Sequence, residues 1–289
     1  MPRDDLEDAS SRVDAEVEVS LRDWRGIAPD IEPADDVVFV DGVRRVDANL
    51  WIEQPGSRPA LGLAATYAAG VVRSNGRAEL VDARVERGVF TSAAGATDVV
   101  TAHGTYGIRA TKGSSPEELW LGIQGRMGDL EGVVAADHAG EALVIVDGPL
   151  SHRRHVPDAV GYVKREYVEY LPEQVLDVKY GLAVGRRTPI FLTTSDWSRY
   201  SWYLRLAQGT GPGEGLVRCE VSADRDLPAV VRLADRVTAT LPRFSSAPHK
   251  DPRAPENLYP IGGLEREMRR RLGDSHLLFR ALRRAAAAA

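Results

Sequence analysis

The sequence predicts an α/β (α+β) protein built on a mixed five-stranded sheet flanked by helices, with additional β-strands. Three observations carry this. Residues 37–42 read Val-Val-Phe-Val-Asp41-Gly42, and residues 143–148 read Leu-Val-Ile-Val-Asp147-Gly148. Each is a short apolar run, mostly β-branched and without helical period, as expected of a buried strand. Between the two lie strand-like segments at 48–53, 60–73, 78–90 and 97–111, punctuated by Gly, Ser and Asn, which read as an antiparallel meander. Just before the second run, Ser115 and Glu118 resemble a capping box and Pro116 suits the first helical position.

The remaining elements follow in order. Residues 1–35 are an acidic arm, with disorder expected over 1–15. Leu21, Trp24 and Ile27 have helical spacing and could dock that arm on the body. The helix opened by Ser115 is expected over about 116–138, with Leu119, Ile123, Met127, Leu130 and Val134 as its apolar stripe. After the second Asp strand, 159–164, 188–194, 200–207 and 215–222 read as strands, and the Gly-rich loop 209–215 as a hairpin connection. Residues 225–240 read as a helix, 242–260 as a Pro-rich linker, and 261–284 as a basic helix or helix pair. Residues 36–289 are taken as a single domain.

Composition narrows the function class. A chain of 289 residues with 43% hydrophobic and 27% charged residues is ordinary for a soluble globular protein. No stretch approaches the roughly 20 apolar residues of a membrane span. The acidic, polar N-terminus does not read as a signal peptide, so a cytoplasmic location is expected. A single cysteine, Cys219, excludes a disulfide framework and reads as a core residue. The formal net charge of −5 conceals an asymmetry: residues 1–36 carry 12 acidic and 4 basic residues, and the other 253 carry 30 acidic and 33 basic. A polyanion meets a body of opposite sign to the arm.

Asp-Gly after a strand is ordinary turn chemistry. Two such strands with the same lead-in also suit a site, because a carboxylate at a strand end is held rigidly and partly desolvated. The order of Asp41 strand, meander, Glu131-bearing helix, Asp147 strand and terminal helices is that of an RNase H-like fold. There the first and fourth strands are neighbours and the first helix packs across them. Asp41, Glu131 and Asp147 would then converge at one edge, where oxygen ligands suit Mn²⁺ or Mg²⁺. Two such ions about 4 Å apart clamp the attacking and leaving oxygens of a phosphodiester. No Gly-x-Ser-x-Gly and no Cys near a His offers a covalent nucleophile.

Short motifs, taken in order, add a resemblance. They are Val40-Asp41-Gly42, Val146-Asp147-Gly148-Pro149-Leu150, Gly161-Tyr162-Val163-Lys164 with Tyr170-Leu171, Ser201-Trp202-Tyr203, Val217-Arg218-Cys219-Glu220, and Tyr259-Pro260. From about residue 36 to 284 the chain resembles the NurA nucleases, partners of HerA-type hexameric DNA translocases. The resemblance implies a homodimeric, Mn²⁺-dependent nuclease acting on DNA ends and single strands in concert with a HerA-like ATPase, in DNA end processing or double-strand break repair. Asp41 and Asp147 would be metal ligands and Glu131 the helix carboxylate. Where the family carries a His eight residues after the Tyr of Tyr-Pro, this chain has Glu267, which would complete the site; Glu265 is the neighbouring candidate, and His276 lies further along. Both glutamates also read as helix charges paired with nearby Arg. Lys164, Arg153 and Arg154 are candidate contacts to DNA phosphates, or a solvated strand end and loop. His152 and His155 lack the further ligands of a zinc site. Of Trp202 and Tyr203 one faces the core and the other is free for a base or a dimer partner. Two other readings stand beside the nuclease: a non-catalytic adaptor of a translocating ATPase, and an RNase H-like nuclease of other specificity.

Overall fold

The computed structural model describes residues 11–288 apart from Glu141, His152, Pro157, Tyr167 and Thr210. Its strands are Arg12–Asp14 (β1), Asp36–Ile52 (β2), Ala60–Asn75 (β3), Arg77–Thr91 (β4), Val99–Thr101 (β5), Gly104–Ala110 (β6), Leu143–Asp147 (β7), Ala159–Val163 (β8), Phe191–Thr194 (β9), Ser198–Arg205 (β10) and Leu216–Ser222 (β11). Its helices are Pro116–His138 (α1), Leu176–Tyr180 (α2), Leu227–Thr240 (α3), Tyr259–Arg271 (α4) and Ser275–Ala286 (α5). The strands form one mixed sheet of 11, ordered β1-β9-β10-β11-β8-β7-β2-β3-β4-β6-β5. The sheet is therefore larger than the five strands expected, because the additional strands lengthen it at both sides.

The two Asp strands are neighbours. β2 and β7 run parallel, with Val37 to Val40 opposite Leu143 to Val146, and β8 continues the parallel set beside β7. Side chains alternate across the sheet. Val38, Val40, Val144 and Val146 pack with Leu119, Ile123, Met127 and Val134 of α1. Val37, Phe39, Leu143 and Ile145 pack with α3 and α4 through Val230, Val237, Ile261, Leu264 and Met268. α1 starts at Ser115, whose hydroxyl accepts from the Glu118 N–H while the Glu118 carboxylate takes the Ser115 N–H.

The segments expected as separate strands at 37–41 and 48–53 are one strand, broken only by a bulge between Val46 and Ala48. β2 runs straight through Gly42, so the turn expected there does not form. A Cβ at Gly42 would collide with the Glu131 carboxylate and with Met127 Cγ at 2.9 Å. Glycine is required at this position because the helix approaches closely. Gly148, by contrast, has φ 86° and does turn the chain out of β7.

Residues 11–35 are ordered against the body, contrary to the disorder expected as far as 15. β1 pairs with β9, and the only helical piece among Leu21, Trp24 and Ile27 is a 3-10 turn at Leu21–Asp23. Trp24 is buried with its indole donating to the Ala15 carbonyl, and the buried Arg187 guanidinium grips both carboxylate oxygens of Glu18 at 2.9 Å. Residues 1–10 of the arm lie outside the described residues. The Pro-rich stretch 242–260 is not a free linker: Ser245 bridges Leu258, and Asn257 and Leu258 are fully buried. Among the described residues no helix is long and apolar enough to cross a membrane.

Candidate functional site

β7 pairs with β2 only as far as Val40 and Val146, while β2 carries on in its hairpin with β3. A notch forms where the parallel strands stop, the place where open α/β sheets bind ligands. Continuing the alternation, Asp41 and Asp147 both stand on the α4 face of that notch. Opposite Asp41 on β3 lies Gly70, where a Cβ would stand 2.8 Å from Met268 Sδ and 2.9 Å from Leu264 Cδ1. α4 is thereby seated close to the sheet, and its Glu265 faces the pair.

Asp41 is 9% exposed and accepts the Gly42 N–H at 2.8 Å. Its carboxyl is pushed up to about 8, first by burial and then by the Asp147 charge, with Lys164 opposing and Glu265 adding. Asp147 is paired with the Lys164 ammonium at 2.7 Å, which also donates to Asn257 Oδ1 at 2.8 Å. Asn257 in turn donates to Asp251 Oδ2 at 2.6 Å. Burial alone would raise the Asp251 carboxyl, but the Arg253 N–H and the Asn257 amide hold it below its ordinary value. Glu265 is likewise held low, despite burial, by Arg269 at 2.7 Å and Arg253 at 2.6 Å. The Asp147 turn is fixed from the other side by the fully buried Glu220, which accepts the Leu150 N–H at 2.7 Å and lies 3.3 Å from both Arg199 and Arg218.

Glu131 is not part of this group. It is 1% exposed on the α1 face of the sheet, against Gly42, where it forms an ion pair with Arg153. α1 crosses the face toward which the even-numbered residues of β2 point, so its carboxylate lies on the opposite side from Asp41. Arg153 is accordingly buried, with Glu131 and the Pro149 carbonyl as partners, and is not presented to a phosphate. Arg154 and His155 are exposed, with His155 resting on Gly132 of α1. His152 lies outside the described residues.

On α4, Glu265 and Glu267 flank the buried stripe of Ile261, Leu264 and Met268 on opposite sides. Glu267 pairs with Arg270 and Arg271 at 3.0 Å, at the surface, so it does not take the place expected for it beside the Asp pair. His276 is exposed in the first turn of α5. Trp202 and Tyr203 are both buried, at 0% and 2%, because α3 and α4 cover one face of β10 while α2 and the arm cover the other. Neither is free to stack a base. Cys219 is buried in the core, where burial pushes its thiol far up.

A cleft of about 850 Å³ opens from Asp147 and Lys164 and runs past Arg165, Lys179, Tyr180 and Arg253. Sequence reasoning missed Asn257, Asp251 and Arg253, which lie in the stretch taken as a linker. Glu220 belonged to a quoted motif, although nothing in that motif told of its grip on Leu150.

Among the described residues no three His, Cys, Asp or Glu side chains converge closely enough to hold a metal between them. Asp41 and Asp147 are nevertheless a pair of hard oxygen donors on rigid adjacent strands. That donor set fits an ion of the Mg²⁺ or Mn²⁺ type, which keeps several waters and needs only one or two carboxylates. No protein-family model matches the chain, and no curated protein matches it significantly.

Proposed function

We propose that this protein is a metal-dependent nuclease of the RNase H-like, NurA-type class, cutting DNA phosphodiester bonds at the notch beside Asp41 and Asp147. The observation that carries the reading is the pairing of two aspartates on adjacent parallel strands, with Asp41 buried and, among the described residues, in no ion pair of its own. Adjacency of the Asp41 and Asp147 strands supports this reading; α1 lies mainly over β2 and β3 rather than across β2 and β7 as the motif order leads one to expect. Arg165 stands exposed on the cleft that opens beside this pair, where it can meet a phosphate.

In this reading Asp41 and Asp147 hold the ion, and Mn²⁺ or Mg²⁺ supplies Lewis acidity to the scissile phosphate and its attacking water. Arg165, exposed along the cleft, holds a flanking phosphate. Glu265 sets the charge next to Asp41 and is itself bound to two arginines, which makes it a positioning residue. Homodimerisation and a HerA-like ATPase partner are the corresponding assembly proposals.

The test is cleavage of linear single- and double-stranded DNA with Mn²⁺, with EDTA, and by Asp41→Asn and Asp147→Asn variants. Metal-dependent cleavage that both substitutions abolish is expected. Cleavage that persists in EDTA or survives both substitutions would sink the assignment.

A further inference from the structure

The charges around the notch can be paired one by one. Glu265 is neutralised by Arg253 and Arg269. Asp147 is neutralised by Lys164. Among the described residues, Asp41 forms no ion pair with a basic side chain, although it is 9% exposed; its hydrogen bond comes from its own strand, the Gly42 N–H.

Lys164 is not a wandering surface chain. It follows β8, on the same face as Asp147, and its ammonium is held between Asp147 Oδ2 at 2.7 Å and Asn257 Oδ1 at 2.8 Å. Asn257 is fully buried and fixed by Asp251 at 2.6 Å. Gly262 of α4 makes this possible: a Cβ there would stand 2.9 Å from the Asn257 amide nitrogen and 3.1 Å from Asp251 Oδ2. The loop, the helix and the strand together build a seat for one ammonium on the outer oxygen of Asp147. A compact point charge on a flexible stem is suited to such a seat, where a planar guanidinium is not.

We propose that the Lys164 ammonium occupies the position a second divalent ion would take, so that the site binds a single Mn²⁺ or Mg²⁺ between Asp41 and Asp147. The inference rests on the nuclease reading and corrects its two-ion form. In two-ion sites the ions sit about 4 Å apart and share carboxylates. Here the third carboxylate such a pair requires is withdrawn: Glu131 is on the other face with Arg153, and Glu265 is held by two arginines. Lys164 supplies the second positive charge at the phosphate.

The experiment is Mn²⁺ titration of the full chain by calorimetry, with free Mn²⁺ counted in parallel by electron paramagnetic resonance, in the absence of DNA. Wild type is expected to bind one ion per chain. Lys164→Met removes the charge, and Lys164→Gln removes it while keeping a hydrogen-bonding amide in the seat in case the Met variant does not fold. Either should bind a second ion or bind the first at least tenfold more tightly, and Lys164→Arg, which keeps the charge without fitting the seat, should still bind no second ion. Two ions on wild type, or unchanged stoichiometry and affinity in both neutral variants, would overturn the assignment of Lys164. No Mn²⁺ bound by wild type at all would instead overturn the metal reading of Asp41 and Asp147, so the two failures are distinguishable.

Discussion

Asp41 makes a stability prediction that needs no substrate. Its carboxyl is raised from 3.8 to about 8 in the folded protein, chiefly by burial and secondarily by Asp147. A group raised on folding keeps its proton in the folded state while the unfolded chain loses it. Stability is therefore undiminished below about pH 4 and falls as pH rises toward 8. The decline attributable to this one group is up to about 1.4 kcal/mol per pH unit across that window. Between pH 5 and 8 it reaches about 4 kcal/mol, a large part of a typical domain's stability. Asp41→Asn keeps the shape and the acceptor for the Gly42 N–H and cannot ionise. Urea denaturation in EDTA, followed by tryptophan fluorescence, should show the variant gaining on wild type by about that amount from pH 5 to 8. Taking the difference between the two proteins cancels the opposite slopes of Glu265 and Asp251, whose carboxyls are held low. Parallel pH profiles for wild type and variant would refute the burial argument.

Other expectations are more local. Arg153→Met should cost about 3–5 kcal/mol in urea denaturation, because it leaves the Glu131 charge buried without its counter-ion. Exchanging both residues, Glu131→Leu with Arg153→Met, should recover most of that loss. Gly42→Ala should destabilise by about 1–3 kcal/mol, since its methyl meets both the pinned Glu131 carboxylate and Met127. Glu267→Ala should change stability by no more than about 0.5 kcal/mol and leave DNA cleavage intact, in contrast to Asp41→Asn. Asn257→Leu should lower the Mn²⁺ concentration at half saturation, by loosening Lys164 from Asp147.

The parts of the fold that were legible are those whose signals are local. The runs ending at Asp41 and Asp147 read as buried strands from their length and β-branched content, and Ser115, Pro116 and Glu118 fix the start of α1 through their own backbone bonds. Gly42 shows the limit of such reasoning. It was read through the turn preference of Asp-Gly, whereas it is selected by a helix 89 residues further along the chain. The order and spacing of the elements place Glu131, on the helix just before the second Asp strand, with the aspartates. Which face of the sheet α1 covers depends on the alternation along β2, and the odd-numbered Asp41 points away from it. Asn257 and Asp251 had no local signal at all, since polar residues in a Pro-rich stretch look the same whether solvated or folded under a helix. The preference for Glu267 over Glu265 followed motif spacing, and the packing of Leu264 and Met268 against Gly70 decided otherwise.

The uninterrupted course of β2 through Asp41 divides the notch into a fixed wall and a removable one. Asp41 is clamped by a ladder to β3 that runs along Asp36–Ile52 with a single bulge at Asp47. Glu265, Asn257 and Asp251 come from a helix and loop laid on top. Partial unfolding should therefore lift α4 and residues 245–258 while the strands stay paired. Amide hydrogen exchange should find the α4 backbone opening at a lower free energy than β2 and β3. An excursion of that kind would bare the aspartates to solvent, and with it their appetite for cations, without dissolving the sheet that holds them.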